Sequence, residues 1–158
     1  MGMRLGDILI RQGVLNSKQV EEALGAQERT GVPFGLACEE LFGTDPRLIE
    51  QAWASQYAGL TQTVCLAEEQ VEPAAQSVLS RRQAWQFAAV PLRWDGSELM
   101  VATTSDLLVR AHRFVSAEVK APVVFVMTSR SDLKQALCRW YPLPGASLPG
   151  SPAQRNAA

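Results

Sequence analysis

The chain has 158 residues, of which 47% are hydrophobic and 20% are charged, with a formal net charge of −1. This balance is typical of a globular protein with a buried core and excludes the fibrous and disordered classes. Because the chain carries no excess of positive charge, broad attraction to nucleic acid or to anionic lipid is not expected.

The three cysteines are far apart and lack CxxC spacing, which argues against a disulfide framework and against a zinc site. We expect reduced, mostly buried thiols in a cytoplasmic protein. No apolar run approaches the roughly 20 residues that span a bilayer, so we expect a soluble chain without direct membrane insertion.

The chain begins with the pattern of a short helix, a tight turn and a longer helix. Apolar residues between Leu5 and Ile10 follow helical spacing, and Gly13 suits the turn that ends this first helix. Asn16 is the expected N-cap of the second helix, with Gln19 at its third position. Both helices would each present one apolar face to a core.

The same plan recurs 29 residues later. Asp45 is placed to cap the fourth helix and Pro46 suits its first position. Equivalent positions of the two copies are Gly6 and Gly35, Leu9 and Cys38, Leu24 and Trp53, and Gln27 and Gln56. We predict that the two glutamines end the two long helices. A duplicated unit can present two similar surfaces to a ligand that is itself nearly two-fold symmetric.

Beyond Gly59 the pattern changes to mixed helix and strand. The dipeptide Asp95-Gly96 favours a tight hairpin between two strands. We predict short helices over 73–79 and 80–87, strands over 88–94 and 97–104, a helix over 107–119, a strand over 122–128 and a last helix from Ser131 to Trp140.

The predicted fold class is α+β, an N-terminal helical repeat subdomain followed by a small ββαβα subdomain. The predicted organisation is a duplicated helix-turn-helix, ligand-binding subdomain over 1–57, a linker over 58–70, the α/β subdomain over 71–141 and a flexible tail over 142–158. The tail prediction comes from its density of Pro, Gly and Ser.

The first repeat carries residues suited to a nucleotide. Gly6 would let a ligand approach the backbone at a helix start, and Arg4 beside it could grip a phosphate or stack on a purine. Gln27 could hydrogen-bond a guanine edge. The simpler interpretation is structural, since glycines often end helices and Leu9, Leu24, Phe34 and Trp53 are most simply core residues.

The sequence offers no catalytic constellation and no metal-ligand cluster. His112 is the only histidine, no Ser or Cys has a nucleophile signature, and the phosphate-binding loop of ATPases is absent. A DNA-binding helix-turn-helix is disfavoured because Glu21, Glu22 and Glu50 would face the phosphates. An enzyme is therefore the least favoured class.

The pattern RLGxxLVxxG, followed by spaced leucines and a closing Gln and then repeated, resembles the N-terminal domain of type II secretion and type IV pilus assembly ATPases. This is the MshE N-terminal, cyclic di-GMP-binding domain. The first motif is filled by Arg4, Leu5, Gly6, Leu9, Ile10, Gly13, Val20, Leu24 and Gln27. Within that group, residues 51–56 and 138–141 look closest to the C-terminal domain of phage-adsorption-type inner-membrane glycosyltransferases.

The resemblance implies that one half of cyclic di-GMP lies against each repeat. Arg4 and Gly6 would contact phosphate, Leu5, Leu9 and Leu24 would cover guanine, and Gln27 would donate or accept a hydrogen bond. The implied site is Arg4, Leu5, Gly6, Leu9, Ile10, Gly13, Leu24 and Gln27 with Phe34, Gly35, Trp53 and Gln56. The implied function is a cyclic di-GMP-binding regulatory domain, without a cofactor. It would signal to a membrane-associated glycosyltransferase or a secretion or pilus machine at the cytoplasmic face of the inner membrane.

The second repeat departs from this pattern. Pro33 stands where a second Arg is common, Phe34 replaces Leu, Glu39 replaces an apolar residue, and Phe42 occupies the glycine position with Gly43 one residue late. We expect Phe42 to deform the turn. The alternative function is therefore a degenerate structural adaptor that docks onto secretion or glycosyltransferase components without binding nucleotide.

Overall fold

The computed structural model describes residues 3–150. The chain divides into two compact units, the first ending at Leu60 and the second beginning at Thr61. The first unit is helical and the second contains a mixed sheet with helices, so the fold class is α+β as predicted.

The first unit contains two successive pairs of helices, each with a shorter helix followed by a longer one. The helices are α1 (Leu5–Arg11), α2 (Ser17–Thr30), α3 (Phe34–Phe42) and α4 (Pro46–Leu60). Asn16 forms the predicted capping box, since its side chain accepts from the Gln19 N–H at 2.8 Å and the Gln19 side chain accepts from the Asn16 N–H at 2.9 Å. Two backbone N–H donors at this helix start are thereby satisfied.

Each repeat contains the same kind of close contact between its shorter helix and its longer helix. A Cβ built on Gly6 would lie 2.8 Å from Val20 Cγ1, and a Cβ on Gly35 would lie 2.8 Å from Ile49 Cγ2. In each repeat the shorter helix therefore approaches a β-branched residue of the longer helix too closely for any side chain. This contact is why glycine recurs at the 29-residue spacing, whether or not a ligand binds.

The second repeat accommodates its extra residue by lengthening a helix. Phe42 is the last residue of α3 and packs against the core of the unit, and Gly43 takes the left-handed conformation with φ +63°. The expected deformed turn at Phe42 was wrong, because the turn moved one residue along and kept its glycine.

The core of the first unit combines residues from all four helices and from the turn after α1. It consists of Ile8, Leu9, Leu15, Ala23, Ala37, Cys38, Ile49 and Ala52. Cys38 takes the place that Leu9 has in the first repeat, and its burial raises the pKa of the thiol. Cys65 and Cys138 are exposed, so the prediction of mostly buried thiols holds for Cys38 alone.

The second unit contains a three-stranded sheet in the order β1-β2-β3. Its elements are α5 (Pro73–Gln76), α6 (Arg81–Phe87), β1 (Val90–Asp95), β2 (Glu98–Thr103), α7 (Leu108–Glu118), β3 (Val123–Met127) and α8 (Arg130–Trp140). Strands β1 and β2 form the predicted hairpin with Gly96 at φ +60°. Strand β2 also pairs in parallel with β3, and α7 connects these two strands in the chain. Helix α8 begins one residue before the predicted Ser131, since Ser129 is its N-cap.

The segment predicted as a linker over 58–70 instead belongs to the two units. Leu60 ends α4, and the following residues pair with β3 through a parallel bridge between Thr63 and Met127. The Val64 N–H donates to the Met127 carbonyl at 2.8 Å, and the Thr61 hydroxyl donates to the Phe125 carbonyl at 2.6 Å. These long-range bonds hold the segment at the edge of the sheet.

The predicted flexible tail is packed in the part that the structure describes. Leu148 is buried, and the Arg130 guanidinium donates to the Pro149 carbonyl. Residues 142–150 therefore form an irregular but fixed segment of the second unit. The remainder of the predicted tail, residues 151–158, lies outside the described residues.

Tyr141 ties the end of α8 to the two short helices of its unit. Its hydroxyl donates to the Gln76 carbonyl at 2.8 Å, and its own carbonyl accepts from the Trp85 indole N–H at 2.7 Å. Burial raises the pKa of the Tyr141 hydroxyl, which keeps it protonated as a donor.

We expect Tyr141→Phe to lower the free energy of unfolding by about 1–2 kcal/mol, because the Gln76 carbonyl loses its donor inside the protein. Urea unfolding followed by circular dichroism measures this. Equal stability of the Tyr141→Phe variant and the parent chain would contradict a stabilising role for the hydroxyl.

Among residues 3–150, no helix is long and apolar enough to cross a membrane.

Candidate functional site

A groove of about 250 Å³ opens between α1, α2 and the start of α3. Its lining is formed by Arg4, Leu5, Gly6, Asp7, Val20, Leu24, Gln27 and Phe34. The structure therefore brings together five of the residues predicted in the first repeat and one predicted in the second. The groove lies wholly within the first unit.

Arg4 provides the positive charge of the groove. It is the N-cap of α1 in extended conformation, with φ −71° and ψ 153°, and its side chain is exposed. Among the residues that the structure describes, its guanidinium forms no ion pair. Since α1 has only seven residues, its dipole adds little, and a bound anion would depend chiefly on Arg4.

The apolar wall of the groove consists of Leu5, Val20, Leu24 and Phe34. Leu24 is 44% exposed, so the simpler interpretation of Leu24 as a core residue was wrong. Leu5 and Phe34 are half-buried. A wall of this kind offers an apolar surface to a flat ring.

Gln27 also lines the groove, and its side chain is exposed. It precedes the last turn of α2, which continues to Thr30, and Gln56 likewise lies one turn before the end of α4. The prediction that these glutamines end their helices was therefore wrong by about one turn. Within the described part of the chain, the Gln27 amide makes no hydrogen bond and is available to a ligand.

The predicted site left out two residues that line the groove. Val20 was recognised as a motif residue but not as a site residue, and it lies one turn before Leu24 on the same face of α2. Asp7 follows Gly6 in the first turn of α1 and is exposed. Its carboxylate offsets part of the positive charge of Arg4, and nothing in the motif pointed to it.

Three residues of the predicted first-repeat site do not line this groove. Leu9 is fully buried in the core, which agrees with its simpler interpretation. Ile10 is half-buried, and Gly13 lies exposed in the turn after α1 with φ +72°. These residues position α1, but they do not reach the groove surface.

The second repeat contributes Phe34 to the groove but not Gly35, Trp53 or Gln56. Trp53 is half-buried and its ring lies 5.5 Å from the Tyr57 ring. Gln56 lines a different groove, of about 330 Å³, together with Met3, Ile8, Arg11, Gln12, Ser55 and Gly59. There its amide donates to the Met3 carbonyl at 3.3 Å.

The described residues contain no group of three or more His, Cys, Asp or Glu side chains that could hold a metal ion.

Comparisons with known proteins identify relatives. Over 148 residues the chain is 23% identical to the type IV pilus assembly ATPase PilB of Myxococcus xanthus (strain DK1622), a match that covers 94% of this chain and 26% of PilB. The chain thus spans about a quarter of that relative. These matches do not support the predicted glycosyltransferase relationship, which stays a prediction.

Solved structures with a similar chain path include MshE with cdg and the N-terminal domain of XpsE. The first has a TM-score of 0.49 and 24% identity, and covers 88% of this chain and 99% of its own. The second has a TM-score of 0.47 and 19% identity, and covers 89% and 99%. The MshEN domain model matches residues 59–147, more than half of the chain. The chain therefore belongs to the MshEN domain family.

Proposed function

We propose that the groove of the first repeat binds cyclic di-GMP and that the chain is a regulatory module of a secretion or pilus machine. The observation that carries this proposal is the convergence of Arg4, Leu5, Gly6, Leu24 and Gln27 on one groove. These residues come from the start of α1 and from α2, and they belong to one sequence motif. Among residues 3–150, the Gln27 amide and the Arg4 guanidinium have no partner and Leu24 is exposed, which a purely structural motif would not require.

The chemistry of the groove fits a guanine nucleotide. The Arg4 guanidinium can donate two parallel hydrogen bonds to a phosphate. Leu5, Leu24 and Phe34 can cover the faces of the base, and the Gln27 amide can both donate to and accept from its edge. Asp7 also lines the groove, and its carboxylate disfavours a phosphate beside it.

The volume of the groove limits how much of the ligand it holds. At about 250 Å³ it is smaller than the roughly 300–1,000 Å³ of pockets that enclose drug-sized ligands. It therefore accommodates one guanosine monophosphate half of cyclic di-GMP. The other half projects beyond the groove.

Regulation requires that the ligand change how the helical unit docks on a partner. A ligand shifts an equilibrium only through different affinities for the two states. The similarity to a pilus assembly ATPase favours a secretion or pilus component as that partner. A position at the cytoplasmic face of the inner membrane rests on the sequence resemblance alone. A glycosyltransferase partner rests on the sequence resemblance alone.

Isothermal titration calorimetry of the full chain with cyclic di-GMP tests this proposal. We expect saturable binding with a Kd below about 100 μM, which corresponds to about −5.5 kcal/mol. Cyclic di-AMP is the matched control, because it keeps the two phosphates and changes the base edge that Gln27 would read. Absence of saturable binding at about 100 μM would contradict the proposal.

A structural adaptor without nucleotide binding is the second candidate. The observation that favours it is the second repeat, where Pro33 replaces a cation and Glu39 adds a negative charge. A pull-down from cytoplasmic membranes with and without cyclic di-GMP distinguishes the two. Capture of the same secretion component in equal amount under both conditions supports the adaptor, and nucleotide-dependent capture supports the regulatory module.

A further inference from the structure

The two repeats start their first helices with the same backbone but with different charge. Arg4 has φ −71° and ψ 153° as N-cap of α1, and Pro33 has φ −56° and ψ 144° as N-cap of α3. The second repeat therefore keeps the conformation that positions the cation in the first repeat. Proline supplies neither a positive charge nor a backbone N–H at this position.

The side chains of the second repeat also point to different surroundings. Phe34, the equivalent of Leu5, lines the groove of the first repeat, and its Cζ lies 3.6 Å from a Cβ built on Gly6. Gln56, the equivalent of Gln27, donates to the Met3 carbonyl and lines the groove that contains Arg11 and Gln12. The amide that would read a second guanine is thus engaged within the protein.

One copy of the chain consequently offers one built half-site to a ligand with two equal halves. Cyclic di-GMP carries two phosphates and two guanines related by a two-fold axis. Within residues 3–150, the second repeat has Pro33 in place of the cation and an engaged Gln56 amide, so a second half-site with its own Arg4 would come from a second copy of the chain. Two copies related by a two-fold axis would present identical surfaces to the two halves, as in an isologous dimer.

We propose, on the basis of the proposed function, that one cyclic di-GMP is shared by two copies of this chain. Each copy supplies Arg4 to one phosphate and Leu24 and Gln27 to one guanine. The 44% exposure of Leu24 is then partly covered by the ligand that joins the copies. The net charge of −1 on each chain gives only weak repulsion between them.

This arrangement makes the ligand a dimerisation signal. A partner would detect bound cyclic di-GMP as a change from one copy of the chain to two, without a large rearrangement inside either copy. Guanosine monophosphate has one base and one phosphate, so it would fill the same groove without joining two chains.

Sedimentation-velocity ultracentrifugation of the full chain, combined with calorimetric stoichiometry, tests the inference. With cyclic di-GMP at half the chain concentration and well above Kd, we expect a species of twice the mass and about 0.5 ligand per chain. With guanosine monophosphate we expect about one ligand per chain and no change in mass. Arg4→Ala should abolish the doubled mass, and Lys18→Ala, which removes an exposed cation of α2 outside the groove, should leave it unchanged.

The outcomes separate the inference from the proposed function. One cyclic di-GMP per chain without a change in mass would overturn the shared site and leave nucleotide binding intact. No binding of cyclic di-GMP would overturn both. A doubled mass that Arg4→Ala does not affect would also overturn the inference, because the copies would then associate without the groove.

Discussion

Arg4→Ala should weaken binding of cyclic di-GMP about 10- to 150-fold, which is about 1.5–3 kcal/mol. Arg4 is the cation that lines the groove of the first repeat, and a charge-assisted hydrogen bond to phosphate is lost with it. The exposed position of Arg4 means that the variant should fold as well as the parent chain. Fluorescence or calorimetric titration at fixed ionic strength gives the change in Kd.

Lys18→Ala is the matched control for Arg4→Ala. Lys18 is exposed in the first turn of α2 and does not line the groove. Its substitution removes one positive charge from the first unit of the protein, as Arg4→Ala does. We expect less than a twofold change in Kd. An equal loss in both variants would show that the affinity comes from net charge and would contradict a specific contact by Arg4.

Gly6→Ala should lower the free energy of unfolding by about 1–3 kcal/mol, because the new methyl group overpacks the contact between α1 and α2. Its Cβ would lie 2.8 Å from Val20 Cγ1. Urea unfolding of the purified chain measures the effect. Because Gly6 also lines the groove, the same variant should bind cyclic di-GMP more weakly.

Two further variants test the cause of this destabilisation. Gly59→Ala places the same methyl group in α4 where no atom lies within 4 Å, so it should be neutral or stabilise by up to about 1 kcal/mol. In the double variant Gly6→Ala/Val20→Ala, removal of the Val20 methyl groups should restore part of the lost stability. A Gly6→Ala variant as stable as Gly59→Ala would contradict the close helix contact.

Structural features that depend on residues close together in the sequence were predicted correctly. The capping box of Asn16 and Gln19 involves residues three positions apart, and the hairpin at Asp95-Gly96 depends on a two-residue turn. The 29-residue repeat likewise predicted that Gly6 and Gly35 occupy equivalent places. Local propensity and the fold agree at these points.

Structural features that depend on contacts between residues far apart in the sequence were not predicted. Thr61 to Val64 have no distinctive strand pattern, and they are held by β3 more than 60 residues later. The segment around Leu148 has a composition typical of disorder, but Arg130 and the core of the second unit fix it. Such contacts leave no local signal, since they depend on the tertiary fold.

The candidate site was predicted in part for the same reason. The resemblance to the family motif identified Arg4, Gly6, Leu24 and Gln27, and helical spacing placed Leu24 and Gln27 on one face of α2. The motif could not show that Leu9 faces the core while Leu24 faces solvent, since both are apolar residues at helical spacing. Nor could it show that Gln56 is engaged by Met3.

A titration of the ¹⁵N-labelled chain with cyclic di-GMP, followed by amide chemical shifts, tests the central claim most directly. We expect saturating shifts concentrated at residues 4–7, at Leu24, at Gln27 and at Phe34, which line the groove of the first repeat. Shifts confined to residues 61–150, or the absence of saturating shifts at residues 4–7 and Gln27, would contradict the claim that this groove binds the nucleotide.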